Sequence, residues 1–164
     1  MKKIVFLLIS VWILTGLLSC ATYSQKKESS DKVIDLVNTK NSALLSEITT
    51  LPFLFDKEII VLEKDSSMIW QNINNAGFKF EEIIGSESIP VSSKDYLVFG
   101  NTMEVKTWFE KYLPKKASLV KINCKNGLYY MILGNKKKVA ASGTTGVKDY
   151  PALCGFTGPV KEIK

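Results

Sequence analysis

The side chains best suited to proton transfer are Glu81 and Glu82, a carboxylate pair set between the apolar residues Phe80 and Ile83. A carboxyl group held in apolar surroundings has a raised pKa and can exchange a proton near neutrality. Neighbouring residues of an extended chain point to opposite faces, so only one of the pair can enter a pocket, and solvent-facing charge is the plainer alternative. Tyr130, with Tyr129 beside it, offers a phenol hydroxyl, although tyrosines in hairpin strands more often serve packing. Asp95 stands just ahead of an apolar run and reads as its opening residue. The run Ser142-Gly143-Thr144-Thr145-Gly146 has the small residues of a phosphate cradle, but the lysines precede its glycines and the G-x-x-x-x-G-K-[ST] order is missing.

What the chain lacks narrows the chemistry further. All 22 basic residues are lysine, and there is no histidine. Without histidine the commonest general base and metal ligand are gone, which removes most hydrolase triads and zinc sites. Without arginine the usual bidentate reader of guanine and phosphate is gone, so a net charge of +6 does not imply a nucleic-acid partner. No acids fall at calcium-loop spacing and no thiols at zinc-knuckle spacing, so no metal or other cofactor is expected. The charge is uneven: residues 20–100 hold 8 lysines against 12 acids, whereas residues 101–164 hold 12 lysines against 4. Solvated lysines on turns and strand edges explain this simply, and a face for anionic lipid or an acidic partner, around Lys136-Lys137-Lys138 and Lys115-Lys116, is the sharper alternative.

The three cysteines divide into one and two. Cys20 follows a leader in which Lys2 and Lys3 precede fifteen uncharged residues, Ile4 to Leu18, and a small residue, Ser19. A basic start, a short apolar run and a small residue at the cut make a secretory signal, too short to favour a spanning helix. Export places Cys124 and Cys154 in an oxidising compartment, where an even pair reads as a disulfide; two buried thiols are the alternative. Such a bridge would close a 31-residue loop, worth about 3–4 kcal/mol in the chain-entropy picture.

Leu17-Leu18-Ser19-Cys20 resembles a lipobox, the site where bacterial lipoproteins are diacylated on cysteine and cut before it, with Leu18 bulkier than usual at its position. The resemblance implies a signal peptide over 1–19, palmitate-type acylation of Cys20 and an anchor of two or three chains in a cell-envelope membrane, outer or periplasm-facing. Residues 20–30 then form the lipidated cysteine and a polar tether, and residues 31–164 a single domain.

Periodicity orders that domain. Val33, Val37, Leu44, Ile48 and Leu51 recur at helical spacing over 30–50, with Ser30 or Asp31 as cap and a polar break at 38–42. Residues 51–55 turn the chain, and Ile59 to Leu62 reads as a buried strand. Asp65 caps a helix over 66–76 that Gly77 ends. Phe78 to Ile84 weakly suggests a strand, Gly85 to Lys94 a loop, and Tyr96 to Phe99 a strand. Asn101 and Glu104 open an amphipathic helix ahead of Val105, Trp108, Phe109 and Tyr112. Ser118 to Cys124 and Leu128 to Leu133 alternate around Asn126-Gly127, a strong hairpin signal. Gly134-Asn135 makes a second turn, and Val139 to Ser142 a third strand.

Helix, Thr50-Leu51-Pro52-Phe53 turn, strand, capped helix and closing meander resemble, in this order, the NTF2-like (cystatin-like α+β cone) superfamily. The resemblance covers residues 31–143, with the 102–113 helix as a departure. It implies an α+β fold whose N-terminal helices pack on a curved antiparallel sheet, with an apolar pocket at the mouth. The expected function is ligand or partner binding by a small molecule or an envelope protein. The alternatives are an isomerase or dehydratase using Glu81 or Glu82 with a tyrosine, and an interaction or inhibitor protein acting through the 85–94 loop.

Overall fold

The computed structural model describes residues 27–140 and 147–160. The leader, Cys20, most of the expected tether and the Ser142–Gly146 run lie outside the described residues. The fold is α+β, with five helices and a six-stranded sheet among the described residues.

Helix α1 covers 27–38, so the last four residues of the expected tether are already helical. Ser30 is therefore inside the helix instead of capping it: it is buried, and its hydroxyl donates to the Lys27 carbonyl at 2.8 Å. Asn41 caps α2 (Ser42–Ile48) by accepting from the Leu44 amide. Strand β1 (Thr49–Phe55) follows directly, where a turn was expected. Pro52 has no amide to give the ladder, and the β1–β6 register is irregular across it, between Thr49 and Leu54. Strand β2 (Glu58–Ile60) is a short edge, and Val61 and Leu62 stand in solvent instead of in a buried strand.

Helix α3 (Glu63–Asn75) starts earlier than expected, so Asp65 sits in its first turn and not at its cap; Gly77 ends it in the left-handed conformation. Strand β3 (Ile83–Pro90) replaces the expected loop, and α4 (Tyr96–Phe99) replaces an expected strand. Helix α5 (Met103–Lys111) is capped by Thr102, whose hydroxyl accepts from the Val105 amide. Strands β4 (Ser118–Cys124) and β5 (Gly127–Ala140) form the Asn126-Gly127 hairpin. Strand β5 runs through Gly134-Asn135 with a register shift and no turn, and it takes in Val139 and Ala140 of the expected third strand, whose remainder lies outside the described residues. Strand β6 (Val147–Val160) had no counterpart in the periodicity.

The sheet order is β2-β1-β6-β5-β4-β3, antiparallel except between β1 and β6, which run parallel. The expected antiparallel sheet is therefore mixed, because β1 and β6, neighbours in the sheet, run in the same direction. Both faces are covered. On one, Val33 and Val37 of α1, Leu45 and Ile48 of α2 and Trp70 of α3 meet Phe53, Ile122, Met131 and Phe156. On the other, Phe99 of α4 and Val105, Trp108 and Phe109 of α5 meet Leu54, Leu119 and Ile132.

Two buried indoles show how polar groups are carried into this core. The Trp70 N–H donates to the Thr49 hydroxyl at 2.9 Å, which donates onward to the Leu45 carbonyl at 2.7 Å. The Trp108 N–H donates to the Pro52 carbonyl at 2.8 Å. Asn38 grips the strand-like segment before β3 from α1, its amide oxygen taking the Phe80 N–H at 2.8 Å and its amide nitrogen reaching the Phe80 carbonyl. Left unmade, bonds of this kind would each cost about 1–3 kcal/mol of desolvation.

Candidate functional site

The space between α1–α3 and the sheet, where a cone-fold pocket is expected, is filled by rings. Phe78, Phe80, Tyr129 and Phe156 pack with centroids 5.3–6.3 Å apart, and Phe53 and Trp70 continue the cluster. A cleft lies instead at one end of the sheet, with a volume of about 700 Å³. It is bounded by the β1–β2 turn, the end of α4 and the last residues of β6.

The turn is a two-residue link, Asp56-Lys57, between the paired Phe55 and Glu58. Asp56 adopts φ 52°, a left-handed conformation that aspartate tolerates better than most side chains because its short carboxylate bonds locally. Here that carboxylate reaches across to β6. One oxygen accepts from the Thr157 hydroxyl at 2.8 Å and from the Gly158 amide at 3.3 Å, while the Asp56 amide donates to the Phe156 carbonyl at 2.9 Å. The turn is thus clamped to the end of the central strand.

Glycine is required on both sides of this clamp. Gly158 has φ 136°, and a Cβ there would stand 2.6 Å from Tyr129 Cδ1 and 2.9 Å from the Leu128 carbonyl oxygen. Gly100, beyond α4, has φ 143°, and a Cβ there would press on the Lys57 stem at 3.1 Å. Lys57 therefore lies across Gly100, with its aliphatic stem forming part of the wall.

The lining combines apolar residues (Phe55, Leu97, Phe99, Pro159) with polar ones (Asp56, Lys57, Glu58, Thr157). Such a site suits a ligand with an apolar body and a polar group that can pair with an ammonium or a carboxylate. A second groove of about 530 Å³ lies between α2, β1 and α3. Two of its polar groups are turned on the protein itself: the Lys137 ammonium donates to the Glu47 carbonyl, and the Ser66 hydroxyl to the Glu63 carbonyl.

The residues singled out for chemistry do not converge. Glu81 and Glu82 are exposed beyond the end of the aromatic cluster, and Glu82, at φ 42°, pairs with Lys125 at 2.7 Å, itself exposed. Both carboxylates stand in solvent, as in the plainer alternative of solvent-facing charge: Phe80 turns inward, but the chain leaves the core at the next residue. Tyr130 is half-buried on the opposite face of β5 from Tyr129 and does not line the cleft. Tyr129 is buried, its hydroxyl directed at the Asn126 carbonyl at 3.3 Å. Burial first, then the nearby Cys124 and Glu81, holds this phenol above its ordinary range. Asp95 accepts from the Ser92 amide and opens α4 without a capping bond.

Cys124 and Cys154 are free, buried thiols, and the expected bridge is not formed. Cys124 belongs to the core on the α1–α3 side and Cys154 to the core under α4 and α5, so the sheet stands between them. Burial raises both thiols, Cys154 to about 11. Among the described residues no group of three or more acids and thiols gathers that could hold a metal ion, and no helix is long and apolar enough to cross a membrane.

Sequence reasoning missed the cleft. Its one available signal was an aspartate between two apolar runs, a residue at home in left-handed turns, which would have split 53–60 into a hairpin. No protein-family model, curated protein or solved structure matches the chain.

Proposed function

We propose that this chain is a lipid-anchored envelope protein whose cone-like α+β domain binds a small amphipathic molecule in the cleft at the Asp56-Lys57 turn. The observation carrying the binding reading is the cleft itself: about 700 Å³, lined by Phe55, Leu97 and Phe99 together with Asp56, Lys57 and Glu58. Its rim is held by the Asp56–Thr157–Gly158 clamp, a preformed site of the kind that limits the ordering cost of binding. The NTF2-like reading is supported by the helix-first element order and by helices against a sheet whose long strands carry register shifts. On this reading α4 and α5 are additions that cover the sheet's second face.

The anchor reading is supported by the leader and by Ser19-Cys20 at its boundary. Labelled palmitate tests it: label on the wild type and none on Cys20→Ala is expected, and label retained by the variant overturns it. The binding reading is tested by native mass spectrometry of protein released gently from its own membranes. A bound small molecule is expected, lost in Leu97→Glu, which charges a half-exposed wall residue without entering the core. Wild type and variant each appearing only at its own ligand-free mass, with no stabilisation by amphipathic carboxylates or amines in a melting screen, would refute it.

A further inference from the structure

We infer that the arm formed by the far ends of β5 and β6 is a docking element for anionic lipid headgroups, which sets how the domain lies on the membrane. The inference rests on the anchor at Cys20 to bring the arm there. Residues 136–140 and 147–151 pair only with each other; β4 leaves β5 at Leu133, and the β1 pairing on β6 begins at Leu153. Between Asn135 and Lys148 the sequence has four lysines and no acid. Lys136, Lys138 and Lys148 are exposed on this arm, as is Val147 at 64%. Lysines beside an exposed aliphatic residue suit an interface where cations meet headgroups and an apolar side chain meets the acyl boundary.

Position selects the membrane as the partner. The arm lies along the first turns of α1, the end of the domain nearest Cys20: the Lys32 ammonium reaches the Asp149 carbonyl at 3.5 Å. Lys32 also pairs with Glu28 at 2.9 Å, and Lys136 adds a smaller pull on the same carboxylate. The seven residues from Cys20 to Lys27 can span at most about 25 Å, so the arm is held close to any bilayer the lipid enters. Opposing charge exists on the neighbouring elements, from Glu28, Asp31 and Asp35 on α1 and Asp149 on the arm. Glu28 is paired with Lys32 and also faces Lys136, and Asp149 stands opposite Lys138 in the β5–β6 register, so these two acids offset part of the arm's charge. Lys137 is turned away toward the Glu47 carbonyl of α2.

The full, acylated protein is mixed with phosphatidylcholine vesicles with or without phosphatidylglycerol, floated on a density gradient and treated with an amine-reactive label read by mass spectrometry. Labelling of Lys136, Lys138 and Lys148, and of Lys27 and Lys32 on the adjoining α1, is expected to slow several-fold only with phosphatidylglycerol and to recover at high salt, while Lys115 and Lys116 stay unchanged. Each lysine near the surface should strengthen association about fivefold. In K136E/K138E/K148E, with exposed positions and an unchanged circular dichroism spectrum, the phosphatidylglycerol-dependent protection should vanish from Lys27 and Lys32. Flotation with both vesicles but equal labelling overturns the docking face while leaving the anchor standing. Flotation with anionic vesicles alone, lost in the triple variant, overturns the anchor and supports the face; flotation with neither overturns both.

Discussion

Asp56 combines two separable tasks, and a short substitution series resolves them. Replacing it with Gly removes the acceptor for the Thr157 hydroxyl and the Gly158 amide, bonds of 2.8 and 3.3 Å to a half-buried charge. Hydrogen bonds to charged groups contribute about 1.5–3 kcal/mol each, and the longer one counts at the low end, so a loss of about 2–4 kcal/mol is expected. Replacing it with Ala removes the same bonds but also forces a Cβ-bearing residue without local bonding to hold φ 52°, adding about 1–2 kcal/mol. Asn keeps an acceptor oxygen and tolerates the conformation, so it should lie within about 1 kcal/mol of the wild type. Urea unfolding followed by the fluorescence of buried Trp70 and Trp108 measures the order, which should be wild type, then Asn, Gly and Ala. An Ala variant as stable as the Gly variant would refute the strain argument, and a Gly variant within about 0.5 kcal/mol of wild type would refute the clamp.

Other consequences are equally open to measurement. Thr49→Val should cost about 2–4 kcal/mol by orphaning the Trp70 N–H, and in T49V/W70F the penalties should fall short of additivity by about 1 kcal/mol or more; strict additivity would count against the relay. Because burial raises the Cys154 thiol from 9.0 to about 11, the folded state holds that proton more tightly. Its contribution of about 2–3 kcal/mol is complete below pH 9 and is lost as pH climbs through 11. A Cys154→Ala variant should therefore lose less stability between pH 9 and 11 than the wild type, and parallel curves would contradict the assignment. Glu82→Gln breaks only an exposed pair with Lys125, so stability should change by less than about 0.5 kcal/mol and cleft occupancy not at all, as denaturation and native mass spectrometry would show.

Local signals were legible where a single residue type decides the geometry. Gly77 ends α3 because few other residues take φ 73°, and Asn126-Gly127 closes the β4–β5 hairpin. The amphipathic spacing of Val105, Trp108 and Phe109 places α5 on the second face. What escaped was set by distant partners. Tyr96 to Phe99 has the composition of a strand, yet Phe99 is drawn onto Phe109 and Leu54, and a single helical turn delivers it there. The serine-rich 83–90 stretch becomes a strand because β4 offers a free edge, while its own side chains contribute little burial. Strand β6, broken by Pro151, Gly155, Gly158 and Pro159, lacks alternation because its ladder to β5 shifts register. The cleft could not be read for the same reason: Asp56 and Thr157 stand about a hundred residues apart, and only the parallel pairing of β1 with β6 brings them together.

That central pairing also governs when the molecule can become itself. Strand β6 stands between β1 and β5, so the N-terminal hairpin has no sheet to join until residues near 155 arrive. Contacts of such sequence separation are slow to form because a long loop must close first. Helices α1–α3 can coil early yet lack Leu153 and Phe156, part of their apolar counterpart, until β6 has been made. A built-in delay of this kind keeps the growing polypeptide pliable, the state in which a chain is most readily threaded, handed over or chemically finished before it locks.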